Sequence, residues 1–380
     1  MPRAFQAARL SHLTLLGVTL SAEPRSLSPA VSLVSLTLNN PRAFPYFPPE
    51  DLAAQLQFVL SLGELSIRFS VPVPRSRIPM RGIESPITRA TLPSLIRFIS
   101  RGVSTYLEGL FARISDHCLR KFDLTLFTQL ISALPVISKL IDATAEFRFP
   151  VAKINFNQNN FSISISDNRE EEAQGDRSLY IQVSCKPFDW QVSSAAQICN
   201  ELWWMLRWVE DLAIDLYEHG TIPPEWRNEV ESRTWCNLLR PFKCVKKLRV
   251  GRALTLDLSR ALQPAEEQPG TGGGTPVGQL PLLLPVLQEL VLEEGCDVNA
   301  FTAFIDARHH DRVGCPIQLV IRPSRRDPGA GANASASSRL PRRGDYISSQ
   351  RIPMSLDLRY PVSPNPSEPS TPTRNRTHIA

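Results

Sequence analysis

One six-residue pattern recurs eight times along this chain: apolar, two variable residues, apolar, one variable residue, apolar. The first four copies read Leu10-Ser-His-Leu13-Thr-Leu15, Leu33-Val-Ser-Leu36-Thr-Leu38, Leu62-Gly-Glu-Leu65-Ser-Ile67 and Leu119-Arg-Lys-Phe122-Asp-Leu124. The others read Val151-Ala-Lys-Ile154-Asn-Phe156, Val209-Glu-Asp-Leu212-Ala-Ile214, Val245-Lys-Lys-Leu248-Arg-Val250 and Leu287-Gln-Glu-Leu290-Val-Leu292. The last three positions of each copy alternate, so two side chains point to one side and the residue between them to the other, as in a short strand. A single such strand cannot bury its apolar side. Many of them must share one core.

The copies start 23, 29, 57, 32, 58, 36 and 42 residues apart. The first two intervals match leucine-rich repeats, and 57 and 58 are each close to twice 29. A degenerate unit is expected inside each double interval, at Leu92 to Phe98 or Leu107 to Leu110 in the first and Leu179-Tyr-Ile-Gln-Val183 in the second. The expected fold is therefore α/β, a curved leucine-rich-repeat-like solenoid of irregular units of about 25–35 residues, in which stacked neighbours complete one another's core. The repeat domain is expected over 1–322.

Between strands, Ser193 and Ser194 are placed to cap a helix reaching Trp208, with Ile198, Leu202, Met205 and Val209 on one face. Trp203, Trp204 and Trp208 are expected in the core. Two insertions, 167–178 (polar and acidic) and 263–279 (rich in Gly and Pro), are expected to be mobile. The segment 323–380 carries nine prolines with many Ser, Arg and Gly and no periodicity, and is expected to be a disordered tail.

The tail also sets the charge. Of the net +5, residues 322–380 contribute ten Arg against four acids, leaving 32 basic and 33 acidic residues for the rest. A nucleic-acid-binding fold would concentrate basic residues on one face of the domain itself, so no nucleic acid is expected as partner. No apolar run approaches the ~18 residues of a membrane span, so no membrane partner is expected either. Arg3, Arg9 and the apolar stretch Leu13–Leu20 imitate a secretory signal, but Thr14 and Thr19 interrupt it and its spacing is that of the repeat. Seven cysteines, never spaced C-x-x-C, argue against a disulfide framework and for a cytoplasmic or nuclear location.

Signals for chemistry are weak. The loop Gly270-Thr-Gly-Gly-Gly-Thr-Pro276 has no following Lys-Ser/Thr, and Pro276 lacks an amide with which to cradle phosphate. His309 and His310 are adjacent, so on a helix they diverge by about 100° and make no same-face ligand pair. The run Glu170-Glu171-Glu172 reads as a solvated loop. No nucleophile elbow or recognisable catalytic cysteine is present. The sequence thus predicts no catalytic residues, no metal and no cofactor.

Four stretches carry a resemblance. They are Phe188-Asp-Trp-Gln-Val-Ser-Ser-Ala-Ala-Gln-Ile-Cys199, Trp235-Cys-Asn-Leu-Leu-Arg-Pro-Phe-Lys-Cys-Val-Lys-Lys-Leu-Arg-Val250, Leu280-Pro-Leu-Leu-Leu-Pro-Val-Leu-Gln-Glu-Leu-Val-Leu292 and Phe304-Ile-Asp-Ala-Arg308. Together they resemble the F-box-associated, leucine-rich-repeat-like proteins of mushroom-forming fungi, over the chain from its start to about Ile321. The resemblance implies a non-enzymatic protein-binding module, the substrate-recognition part of an F-box ubiquitin-ligase receptor. Members of that family begin with an F-box that docks on a ligase adaptor. Here the first repeat strand is expected already at Leu10, and Phe47-Pro-Pro-Glu-Asp-Leu52 only imitates the start of an F-box. An adaptor is therefore an expected partner only with an F-box upstream; a stand-alone scaffold or a truncated paralogue is the alternative. The protein target is not identified by the sequence. Its contacts are expected at outward strand positions: Glu64, Arg68, Lys121, Asp123, Lys153, Asn155, Asp211, Asp215, Lys247, Arg249, Glu289 and Glu293.

Overall fold

In the computed structural model the described residues are 9–17, 31–40, 48–69, 89–115, 118–127, 148–167, 177–216, 226, 229–263, 283–310 and 316–323. They belong to the first of two units, Met1–Arg325 and Arg326–Ala380. The expected tail, all but the ends of the two expected insertions, the glycine-rich loop, the acidic run and the His309–His310 side chains lie outside them.

The alternating motifs do form strands. They are β1 (His12–Leu16), β2 (Ser35–Asn40), β3 (Glu64–Phe69), β7 (Lys121–Leu126), β8 (Val151–Phe156), β11 (Asp211–Leu216), β12 (Lys247–Val250) and β13 (Glu289–Glu293). Six more complete the set: β4 (Ala90–Thr91), β5 (Arg97–Gly102), β6 (Ile114–Ser115), β9 (Asn160–Ser166), β10 (Ser178–Ser184) and β14 (Gln318–Arg322). Strands β4 and β6 form a separate parallel pair.

The other twelve make one sheet, ordered β1-β2-β3-β5-β7-β10-β9-β8-β11-β12-β13-β14. This overturns the expected repeat solenoid. Stacked like units would add each strand in chain order, all parallel. Here the chain leaves β7, skips two places to β8, and returns through antiparallel β9 to β10, which pairs parallel with β7. The fold is a mixed α/β sheet. Its physical cause is the turn Asn157–Asn160. Asn157 Oδ1 accepts the amides of Asn159 (2.9 Å) and Asn160 (3.0 Å), and Asn157 N–H donates to Asn160 O. A turn closed by its own Asn side chain holds its flanking strands antiparallel. Of the expected degenerate units, Leu179–Val183 lies in this antiparallel arm. Leu107–Leu110 is helical, and Leu92 to Phe98 only reaches the start of β5.

The connections are equally unlike one another. They contain α1 (Pro49–Leu56), α2 (Ser104–Phe111), α3 (Phe188–Glu201), α4 (Trp203–Leu206), α5 (Ser232–Leu239), α6 (Thr255–Leu262) and α7 (Thr302–His310). Pro49 opens α1 at a position that needs no amide donor. The Pro-Pro-Glu-Asp-Leu52 stretch is thus the start of a helix between β2 and β3. Helix α3 begins at Phe188, five residues before the expected Ser193 cap. Its start is tied by buried Gln191, whose Nε2 donates to the carbonyls of Cys185 (2.6 Å) and Asn157 (2.8 Å). The expected apolar positions Ile198, Leu202, Met205 and Val209 are all buried. Of the three tryptophans expected in the core, Trp204 packs partly buried against it, whereas Trp203 is 54% and Trp208 38% exposed, with Arg207 over both of these rings and Arg148 over Trp208. Their rings extend the polar side of the helix, where guanidinium groups cover their faces.

The core lies on one side of the sheet. Phe98 stacks on Phe122 at 5.5 Å and meets Phe111 of α2 edge-on at 4.8 Å. Phe156 meets Phe188 of α3 at 5.6 Å and Trp235 of α5 at 5.9 Å, both edge-on. Such pairs add about 0.5–1.5 kcal/mol each beyond the area they bury. Two of the four resembling stretches therefore meet here, since Phe188 and Trp235 are 6.2 Å apart. Arg308 of α7 is buried too, donating to the carbonyls of Leu283 and Pro285 at 2.7 and 3.0 Å. It fixes the bend at Leu284, whose φ is 51°. No described helix is long and apolar enough to cross a membrane.

Candidate protein-binding face

Register fixes what the other side of the sheet carries. Residues opposite one another on neighbouring strands share a face, so outward positions align into three rows running across the strands. The first row runs Glu64, Arg97, Lys121, Ser178, Ser166, Val151, Asp211, Lys247, Glu289. In the second stand Ser66, Ile99, Asp123, Tyr180, Ser164, Lys153, Ala213, Arg249 and Val291. The third includes Arg68, Arg101, Thr125, Gln182, Ser162, Asn155 and Asp215. The positions between the rows, such as Leu65, Phe122, Ile154, Leu212 and Leu290, are buried.

All twelve residues expected as contacts fall on this face, and none is buried. The structure does not gather them into one cluster. Six lie on β11–β13, four on β3 and β7, and Lys153 and Asn155 on β8 between them. Sequence reasoning omitted Arg97, Arg101 and the hydroxyl-bearing residues of β9 and β10, because those strands lack the six-residue motif. Alternation alone, as in Asn160-Phe-Ser-Ile-Ser-Ile-Ser166, marks them.

The two arms differ in electrostatics. On β11–β13 the first row alternates acid, base, acid: Asp211, Lys247, Glu289. Lys247 bridges Glu289 at 2.7 Å, and Arg249 reaches Asp211 at 3.3 Å. Such pairs are worth about 0–1 kcal/mol each, so they shape the surface more than they stabilise it. Near them Lys153, Asp215, Arg249, Glu293 and Arg322 line an open concavity floored by Ala213, Val291 and Leu292. Burial raises the Asp215 carboxyl above the usual carboxylate range, outweighing the Leu216 amide it accepts at 2.7 Å and the charge of Lys153.

On β3, β5 and β7 like charges face each other instead: Arg68 stands opposite Arg101, and Arg97 opposite Lys121. Asp123 sits in the row between them. Its carboxyl is raised by burial, against the lowering pull of Arg97 and Arg68. Tyr180, its neighbour on β10, is raised by burial and further by Asp123, with a hydrogen bond from the Ser162 side acting the other way.

Among the described residues no group of three or more His, Cys, Asp and Glu side chains is placed to hold a metal ion. The six described cysteines are free thiols, with burial pushing Cys185 up to about 11. No protein-family model matches this chain, and no curated protein matches it.

Proposed function

We propose that this chain is a non-enzymatic protein-binding module that presents the polar face of its sheet to another protein. The observation that carries the reading is the one-sidedness of the sheet. Described helices pack aromatic residues against one side, while the rows of the other carry exposed and half-buried charges and hydroxyls, with Ser66, Ser162, Ala213 and Val291 buried among them. Mostly parallel sheets ordinarily have both faces covered. Twelve strands at ~4.8 Å spacing and three rows offer a face of about 50 Å by 15 Å, on the order of 750 Å². A standard stable interface buries about 800 Å² per partner. The area suits a protein, and the mixture of charges favours a specific one.

The resemblance of the stretches at Phe188, Trp235, Leu280 and Phe304 extends the proposal. The bound protein is a target to be brought to a ubiquitin ligase, and the module's contribution is proximity rather than chemistry. The free thiols support a cytoplasmic or nuclear setting. The test is capture from a cell extract by the wild-type chain and by a variant reversed at Arg68, Lys121, Lys153 and Lys247. The proposal expects the variant to lose the captured proteins with no fall in melting temperature. Equal capture by both overturns it. Ubiquitin-ligase adaptor among the captured proteins supports the ligase connection, and capture of targets without adaptor leaves a scaffold.

A further inference from the structure

The two arms of the face are charged for different purposes. On β11–β13 each cation in the first row has an acid beside it, and Lys247 and Arg249 are held by Glu289 and Asp211. That arm carries four acids, Asp211, Asp215, Glu289 and Glu293, against these two cations, a net of two negative charges, and its cations are already paired. On β3, β5 and β7 the outward charges are Arg68, Arg97, Arg101 and Lys121 against Glu64 and Asp123, a net of two positive charges. Among the described residues the ion pair within this arm, Arg97 to Glu64, is long at 3.9 Å, and both side chains are well exposed. Two register pairs are like-charged, Arg68 with Arg101 and Arg97 with Lys121. Like charges directly opposite on neighbouring strands destabilise a sheet. Asp123 between the rows and Glu64 beside Arg97 offset part of this repulsion, and two positive charges remain on the arm without an acid to match them.

We infer that the β3–β5–β7 arm is the specificity-determining part of the face and that it takes an acidic segment of a protein partner. The inference rests on the protein-binding reading above and narrows it to one arm and one chemistry. Four guanidinium or ammonium groups on two rows, with Asp123 between them, form two cationic tracks separated by one negative position. Guanidinium groups take carboxylates bidentately, so the tracks suit side-chain carboxylates on an extended or helical segment. The adjoining hydroxyls of Thr125 and Tyr180 and the amide of Gln182 offer neutral hydrogen-bonding groups where the charge ends. A nucleic acid is disfavoured because Asp123 and Glu64 interrupt the basic surface and a phosphate backbone has no use for either.

The test uses the full chain and three labelled probes of equal length: a Glu-rich peptide, its Gln-substituted counterpart and a single-stranded DNA oligonucleotide. Fluorescence anisotropy at two salt concentrations reads binding. The Glu-rich peptide should bind, weaken with salt and lose at least tenfold in affinity to R68E/R101E and to R97E/K121E. Asp123→Asn should tighten it. Reversal of the exposed Lys243, in the connection before β12 and outside the rows, should leave it within twofold. The ten arginines of 322–380 are a competing site for an acidic probe, so affinity unchanged by the β3–β5–β7 reversals assigns the binding to that segment and overturns the inference. Stronger binding of the oligonucleotide, lost through the same reversals, overturns it in favour of nucleic acid. Capture of a partner that is lost only through K153E/K247E leaves the protein-binding reading standing and overturns this narrower one.

Discussion

The carboxylate of Asp215 occupies the space that a Cβ on Gly251 would need. Gly251 has ordinary extended dihedrals, φ −66° and ψ 146°, so the glycine is there for room and not for backbone freedom. The same carboxylate accepts the Leu216 amide at 2.7 Å at the end of β11. Gly251→Ala should push Asp215 off that amide and cost about 1–3 kcal/mol, the usual range for overpacking. Asp215→Ala should remove most of that cost and leave the part set by the Asp215 Cα, 3.2 Å from the new Cβ. A double-mutant cycle by urea denaturation checks the coupling, and additive costs would separate the two residues.

Asp123 and Asp215 both have carboxyls raised by burial, which fixes the sign of their pH dependence. A raised folded pKa means the native state holds the proton more tightly than the unfolded chain does. Stability from each is greatest below the unfolded value of about 3.8, declines as pH rises through the raised folded value, and is flat above it. Asp215→Asn should therefore gain stability over wild type at pH 7, and the difference should vanish near pH 3. Denaturation midpoints at the two pH values measure it.

Arg308 is a buried cation that donates to the carbonyls of Leu283, Leu284 and Pro285. Removing it takes a donor from all three carbonyls around the φ 51° bend at Leu284, of which Leu284 O keeps the Leu287 amide at 3.1 Å. Arg308→Met should lower stability by about 1–3 kcal/mol, the cost of leaving buried acceptors unsatisfied. Arg308→Lys should recover only part of that loss, since an ammonium cannot present the planar fork. Thermal denaturation of the two variants gives the comparison.

The like-charged pairs predict the opposite sign. Arg101→Gln relieves the repulsion with Arg68 and should stabilise the chain by roughly 0.2–1 kcal/mol, reduced by salt. Measured at low and high ionic strength, the gain should shrink at high salt. A loss of stability would mean that Arg101 is held by its contact over Phe127, 5.5 Å away, more than it is repelled.

The strands were legible because their signal is local. Alternation in Leu119-Arg-Lys-Phe-Asp-Leu124 needs only the chain itself to place Lys121 and Asp123 outward, and they are outward. Order in the sheet is not local. Leu179–Val183 has the same alternation whether it lies in a parallel repeat or an antiparallel arm; the difference is made by the Asn157 turn twenty residues earlier. That turn could have been read from Asn157-Gln-Asn-Asn160 between two alternating runs. The exposed Trp203 and Trp208 were misplaced for a related reason. Helical spacing gives a face, but which face meets the sheet depends on the packing of Phe188 and Trp235 around Phe156. The candidate site shows the same limit: individual outward residues were readable, whereas the opposition of Arg68 and Arg101 exists only once β3 and β5 are paired.

The central claim is that the partner sits on the outer rows of the sheet, and cross-linking mass spectrometry of a captured complex tests it most directly. Lys121, Lys153 and Lys247 lie in those rows, whereas Lys186 and Lys243 lie in the connections. The account predicts links to the partner from Lys121 above all, with Lys153 and Lys247 next and none from Lys186 or Lys243. Links confined to Lys186 and Lys243 would put the partner on the connections and contradict it.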